Sequence, residues 1–130
     1  MLGKIDISAL NVPPEKSEFE TAKYFAALGK DIIFLKPSSI PNTHTPDFKM
    51  DGVEWETKCP VGNGKRTIEE NFRKAVKQSK YLIFDLRKIK IPEKQAITQL
   101  EREFSARPYL KRLLIIRKNG ELLMYPPKKD

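Results

Sequence analysis

Asp47 and Glu56 are the two carboxylates whose spacing matters most in this 130-residue chain. Asp51-Gly52 lies between them, and Asp-Gly between alternating runs is a strong signal for a two-residue β-hairpin turn. Folding the chain there opposes Met50 to Val53, Lys49 to Glu54, Phe48 to Trp55 and Asp47 to Glu56. Side chains alternate along a strand, so Phe48, Met50, Val53, Trp55 and Thr57 share an apolar face. Asp47, Glu56 and Lys58 share the other. Opposed residues have Cβ atoms roughly 4.5–5.5 Å apart, and two carboxylates that close repel unless a positive charge lies between them. A divalent metal ion meets that need, and metals held by oxygen ligands catalyse phosphodiester cleavage. The plainer alternative is a solvated sheet face on which Lys58 neutralises Glu56, a pair worth a few tenths of a kcal/mol.

The elements that must position these groups follow from periodicity and turn chemistry. Residues 1–14 read as an irregular lead-in ending at Pro13-Pro14. A helix runs from about Glu15 to Leu28, stopped by Gly29. Ser17 with Glu20 resembles a capping box or lies inside a helix already begun. Asp31–Leu35 reads as a strand, 36–45 as a loop and 47–59 as the hairpin. Thr67 and Glu70 form a second capping-box pattern, opening a helix to about Ser79. Tyr81–Leu86 reads as a strand, and Pro92–Ser105 as a helix with proline in its first turn. Lys111–Arg117 and Glu121–Tyr125 pair around Asn119-Gly120, and Pro126–Asp130 form a frayed tail. The expected order is α-β-β-β-α-β with an added C-terminal α-β-β, in one domain.

Helical projection at 100° per residue selects a third carboxylate. Ala22, Phe25 and Ala26 mark the inward face of the first helix; Glu18 falls within it, while Glu20 points outward with Lys23. A buried carboxylate is expensive without a partner, so Glu18 either joins the hairpin acids or finds a lysine.

Composition adds a class of partner. With 25 Lys+Arg against 17 Asp+Glu the net charge is +8, a footprint that favours polyanions and first of all nucleic acid. Cys59 is the only cysteine, which excludes a disulfide framework or zinc cluster and suits a reducing, cytoplasmic setting. No stretch approaches the roughly 18 continuous apolar residues of a membrane span, and the first residues lack a signal-peptide core. No membrane anchor or secretion address is expected.

The inward helical glutamate, Pro46-Asp47 at a strand start, and Glu56-Thr57-Lys58 on the next strand together resemble the PD-(D/E)XK nuclease superfamily, whose restriction-endonuclease-like core has the order α-β-β-β-α-β. The run from Thr45 through Cys59-Pro60, then Gln78-Ser79 and the strand into Asp85-Leu86-Arg87, is similar to the nuclease domains at the C-termini of bacterial contact-dependent growth inhibition (CdiA) toxins and to mobile-element relatives, a branch that includes tRNA-cleaving toxins. The resemblance spans about residues 17–125.

It implies a metal-dependent nuclease using Mg²⁺ or Mn²⁺. Asp47, Glu56 and the backbone carbonyl of Thr57 would be the ligands, with Glu18 in or next to the coordination sphere. Lys58 would orient water and offset charge on the phosphate. An RNase acting on tRNA is the favoured activity, with a cognate immunity protein as partner. The alternatives are a DNA endonuclease of the same fold and a non-catalytic nucleic-acid-binding module. Gln78 matches a glutamine of several branches and borders the inward face of its helix. His44, the only histidine, lies three residues before Asp47. Lys65, Arg66, Arg73 and Lys77 are candidate phosphate contacts, which supply affinity without sequence information. Cys59 alternates away from Lys58 onto the apolar face and reads as packing.

Overall fold

A computed structural model describes residues 1–127. The elements are β1 (Ile5–Asp6), α1 (Lys16–Ala27), β2 (Ile32–Phe34), β3 (Phe48–Met50), β4 (Val53–Lys58), α2 (Thr67–Ala75), β5 (Tyr81–Asp85), α3 (Glu93–Ser105), β6 (Arg112–Ile116) and β7 (Leu122–Tyr125). The strands form a single seven-stranded mixed sheet whose spatial order is the chain order. β1–β2, β4–β5 and β5–β6 pair in parallel, while β2–β3, β3–β4 and β6–β7 pair antiparallel. Each parallel step is bridged by a helix, because a parallel connection must cross back over the sheet.

Alternation along β5 sends successive side chains into two cores. Leu82 and Phe84 join Ile68 and Phe72 of α2 and Ala96 and Leu100 of α3. Ile83 joins Ala22 and Phe25 of α1 with Phe34, Phe48 and Trp55. Helix α1 thus covers one face and α2 with α3 the other. Phe48 and Phe84 are fully buried, and truncating either to Ala would cost about 3–5 kcal/mol.

The hairpin has the expected register, Phe48↔Trp55, Lys49↔Glu54 and Met50↔Val53. Asp51 and Gly52 both adopt positive φ, +54° and +79°, the type I′ geometry that matches strand twist. Gly29 ends α1 at φ +92°. Its amide donates to Ala26 O and that of Lys30 to Phe25 O, a Schellman closure that satisfies the last carbonyls of the helix.

Several local expectations are corrected. The lead-in is not wholly irregular: Ile5 and Asp6 form β1 against Ile32 and Ile33. Two residues are too few to carry a period, so pattern reading had no purchase there. Neither capping box forms. Glu15 is the N-cap of α1, leaving Ser17 inside the helix, and Arg66 is the N-cap of α2, leaving Thr67 as its first residue. Helix α2 ends at Ala75, not Ser79. The chain tightens there, Gln78 N–H bonding Ala75 O, while Ser79 Oγ donates to Glu54 O at 2.7 Å and ties the turn to β4. Pro92 precedes α3 as its N-cap. In the β6–β7 connection Gly120 takes φ +88° and Arg117 N–H bonds Glu121 O, a three-residue loop with glycine at the left-handed position. The expected fraying of 128–130 lies outside the described residues.

Candidate active site at the β3–β4 fork

The carboxylates meet where β3 gives way to the loop before it. β3 starts at Phe48, and the Asp47 amide donates to Trp55 O at 2.9 Å. Asp47 thereby leaves regular pairing and reaches across to Thr57. Its Oδ2 accepts the Thr57 amide at 2.9 Å and the Thr57 hydroxyl at 2.7 Å. The expectation that Thr57 simply joins the apolar face is corrected: alternation assumes an unbroken ladder, and the ladder ends one residue earlier.

Glu56 is 5% exposed, and its Oε2 lies 3.3 Å from Lys58 Nζ. Its other oxygen, Oε1, is buried with no hydrogen-bond partner. Burial and then the nearby Asp47 push the Glu56 carboxyl up to about 8, against the pull of Lys58. Glu18 stands on the first turn of α1, half-buried. Burial, followed by Asp47 and Glu15, pushes it up to about 7, against the pull of Lys58. Burial also raises Asp47 above its ordinary value, although the two Thr57 bonds and Lys58 oppose the shift. Glu18, Asp47 and Glu56 therefore form one mutually repelling group with the Lys58 ammonium among them. Glu20 points away and pairs with Lys23 at 3.3 Å. Among the described residues no three His, Cys, Asp or Glu side chains are set closely enough to enclose a cation unaided.

Two clefts flank the Pro46-Asp47 corner. One, of about 490 Å³, opens beside Glu18 and Asp47 toward the residues before α1 and after β2. The other, of about 440 Å³, brings His44 and Gln78 together with Pro46, Ser79, Lys80 and Tyr81. Gln78 Oε1 is buried there without a partner. The remaining basic candidates are not drawn to the carboxylates. Arg66 and Arg73 both pair with Glu69, at 3.4 and 2.8 Å. Lys65 lines a groove between α2 and α3 with Glu69, Gln99 and Arg102. Lys77 is exposed just beyond α2.

A second polar cluster lies at the end of β5, on the side of the sheet that α1 covers. Asp85, at the end of β5, accepts two bonds from the Arg87 guanidinium at 2.9 and 2.7 Å and one from Thr21 Oγ1 at 2.8 Å. Cys59 Sγ sits 3.3 Å from that hydroxyl, so its surroundings are polar where an apolar face was expected. Ser17 and Thr21 of α1 supply those polar contacts. Burial raises the thiol, which makes it a poor nucleophile.

The family described as "Contact-dependent growth inhibition CdiA C-terminal domain" matches residues 43–122, which hold Asp47, Glu56, Lys58 and Gln78. Among solved structures, one described as "CdiA-CT/CdiI toxin and immunity complex from Burkholderia pseudomallei" is similar at TM-score 0.64 and 18% identity, over 96% of this chain and 100% of that one. At that identity the likeness is one of fold. No curated protein sequence matches the chain.

Proposed function

The chain belongs to the contact-dependent growth inhibition CdiA C-terminal domain family, and on that premise we propose that it is a toxin domain that hydrolyses phosphodiester bonds in nucleic acid, with tRNA as the favoured substrate. The observation that carries the reading is the set Glu18, Asp47, Glu56 and Lys58: three carboxylates in repulsion, one buried oxygen without a partner, and one lysine. The net charge of +8 agrees with a polyanionic substrate.

What supports a divalent cation is the chemistry of the donors. Hard carboxylate oxygens suit Mg²⁺ or Mn²⁺, and the orphaned Glu56 Oε1 gains a partner when a cation sits there. Asp47 and Glu56 would hold it, with Glu18 in or next to the coordination sphere and the Thr57 carbonyl as the further oxygen that the superfamily resemblance implies. When bound, the ion supplies Lewis-acid polarisation of the phosphate and activation of water.

The chain's own residues set the rest. Thr57 fixes the Asp47 carboxylate through two bonds to one oxygen, Oδ2. Lys58 projects from the same strand as Glu56, about 22% exposed. Its ammonium can face a phosphate and offset the charge that grows during displacement. Lys80 and His44 of the second cleft would hold neighbouring phosphates. The solved toxin of the same fold is paired with an immunity protein. An acidic protein seated over this basic chain is the corresponding partner here, and the target-cell cytoplasm is the place of action.

The decisive experiment incubates the protein with total tRNA, plasmid DNA and single-stranded DNA, with Mg²⁺ or with EDTA, and maps the ends. Cutting of tRNA that EDTA and Glu56→Ala both abolish is the expected result. Cutting that survives in folded Glu56→Ala protein would sink the assignment.

A further inference from the structure

The cleft of about 490 Å³ beside Glu18 and Asp47 shares those two carboxylates with the chemistry described so far, and the rest of its lining has no part in it. Its size falls within the roughly 300–1,000 Å³ of small-molecule sites. One wall is apolar, built from Val12, Pro13, Pro14, Leu35 and Pro37. Val12 is 72% exposed, so it lies on that wall without being needed in either core. The prolines have no N–H to donate, and they present flat apolar faces to whatever enters. Beside this apolar lining stand the carboxylates Glu15, Glu18 and Asp47, and Lys36 and Ser39 also line the cleft.

This polarity selects the ligand. An anionic group inside the cleft would face three carboxylates against one ammonium, Lys36, and gain nothing from the apolar lining. A flat, neutral, partly apolar group meets no such penalty. In a polynucleotide that group is the base, and the neighbouring phosphate falls to the carboxylate and Lys58 end. The geometry points to a nucleobase pocket: the cleft takes one unstacked base adjoining the scissile phosphate, so the domain cuts single-stranded or looped segments and spares perfect duplex. A base inside a duplex cannot enter a concave site without leaving the stack, whereas unpaired loops offer splayed bases for such pockets. The inference rests on the nuclease reading for its placement of the phosphate, but the pocket itself can be tested without catalysis.

The binding test titrates 5′-AMP, with ribose 5-phosphate as the base-free control, into the isotope-labelled full chain and follows amide resonances. Shifts at Val12, Leu35 and Ser39 with 5′-AMP but not with ribose 5-phosphate are expected. Ser39→Trp, which fills the cleft, and Val12→Asp, which charges its wall, are both exposed changes. They should weaken 5′-AMP roughly tenfold with the melting temperature unchanged. Equal shifts with both compounds, no shifts, or wild-type affinity in both variants would overturn the pocket. The cleavage test uses an RNA hairpin with Mg²⁺: cuts confined to the loop are expected, and equal cutting of stem and loop overturns the single-strand preference. Selective 5′-AMP binding with no RNA or DNA cut would leave the pocket standing and remove the nuclease reading. Cutting without selective 5′-AMP binding would do the reverse.

Discussion

Thr57 holds Asp47 by two bonds to a single carboxylate oxygen, one from its amide and one from its hydroxyl. The arrangement exists because Asp47 has left the β3 ladder, and it fixes the direction in which the other oxygen points.

Replacing Thr57 with Val keeps the amide bond and the branched shape but removes the hydroxyl. The expected loss is about 1 kcal/mol of stability, the usual worth of one hydrogen bond, with a larger fall in nucleic-acid cleavage as Asp47 loses its orientation. Thr57→Ser should restore most of the cleavage. Equal cleavage by the Val and Ser variants, measured beside their melting temperatures, would show that the hydroxyl only packs.

Glu56→Gln separates the folding role of the site from its proposed metal role. A buried charge near two like charges opposes folding, so the neutral variant should melt higher than the parent in EDTA at pH 8 and above. The parent should gain stability on addition of Mg²⁺ or Mn²⁺, and the variant should gain little, since a ligand that binds only the folded state stabilises it. Calorimetric melts with and without the ion test both halves.

Asp85 governs the acid limb of stability. Burial works to raise its carboxyl, but Arg87 and Thr21 outweigh it and hold the group below the ordinary 3.8. A depressed folded pKa gives stability that is complete above the unfolded value and is lost as pH falls through the folded one. The parent should therefore lose stability below about pH 4. Asp85→Asn should be weaker by about 1–3 kcal/mol at pH 7 and show a flatter decline on acidification. Urea melts from pH 7 to pH 2.5 measure the difference, and parallel curves would contradict it.

Gly3 is irreplaceable for reasons of space. A Cβ there would lie 1.8 Å from Lys30 O, and the Gly3 amide donates to Ala26 O at 2.8 Å. Gly3→Ala should push the first strand off β2 at a cost of about 1–3 kcal/mol, the usual scale of overpacking. Amide exchange at Ile32, which donates to Lys4 O, should accelerate more than exchange in β5.

The parts of this fold that sequence reading reached are those fixed by local chemistry. Asp51-Gly52 dictated the hairpin and its register, because both residues accept positive φ. Projection along α1 separated Glu18 from Glu20, and the two now face different surroundings. What escaped depended on distant contacts. β1 exists only through its pairing with β2. Thr57 meets Asp47 only because a ladder stops early. Gln78 lies past its helix because Ser79 is tied to β4. Arg66 and Arg73 looked like free phosphate ligands until Glu69 drew them both.

The strand order, which follows the chain without permutation, bears on how the molecule is made. Each strand finds its neighbour in the next stretch of chain, so every closure spans one loop or one helix with its flanking segments. The entropy of loop closure grows with length, and folds rich in near-chain contacts form faster than those that depend on distant pairing. No strand has to slip between two that are already joined. The sheet can zip outward from the central hairpin, with the Asp47–Thr57 corner among its first products.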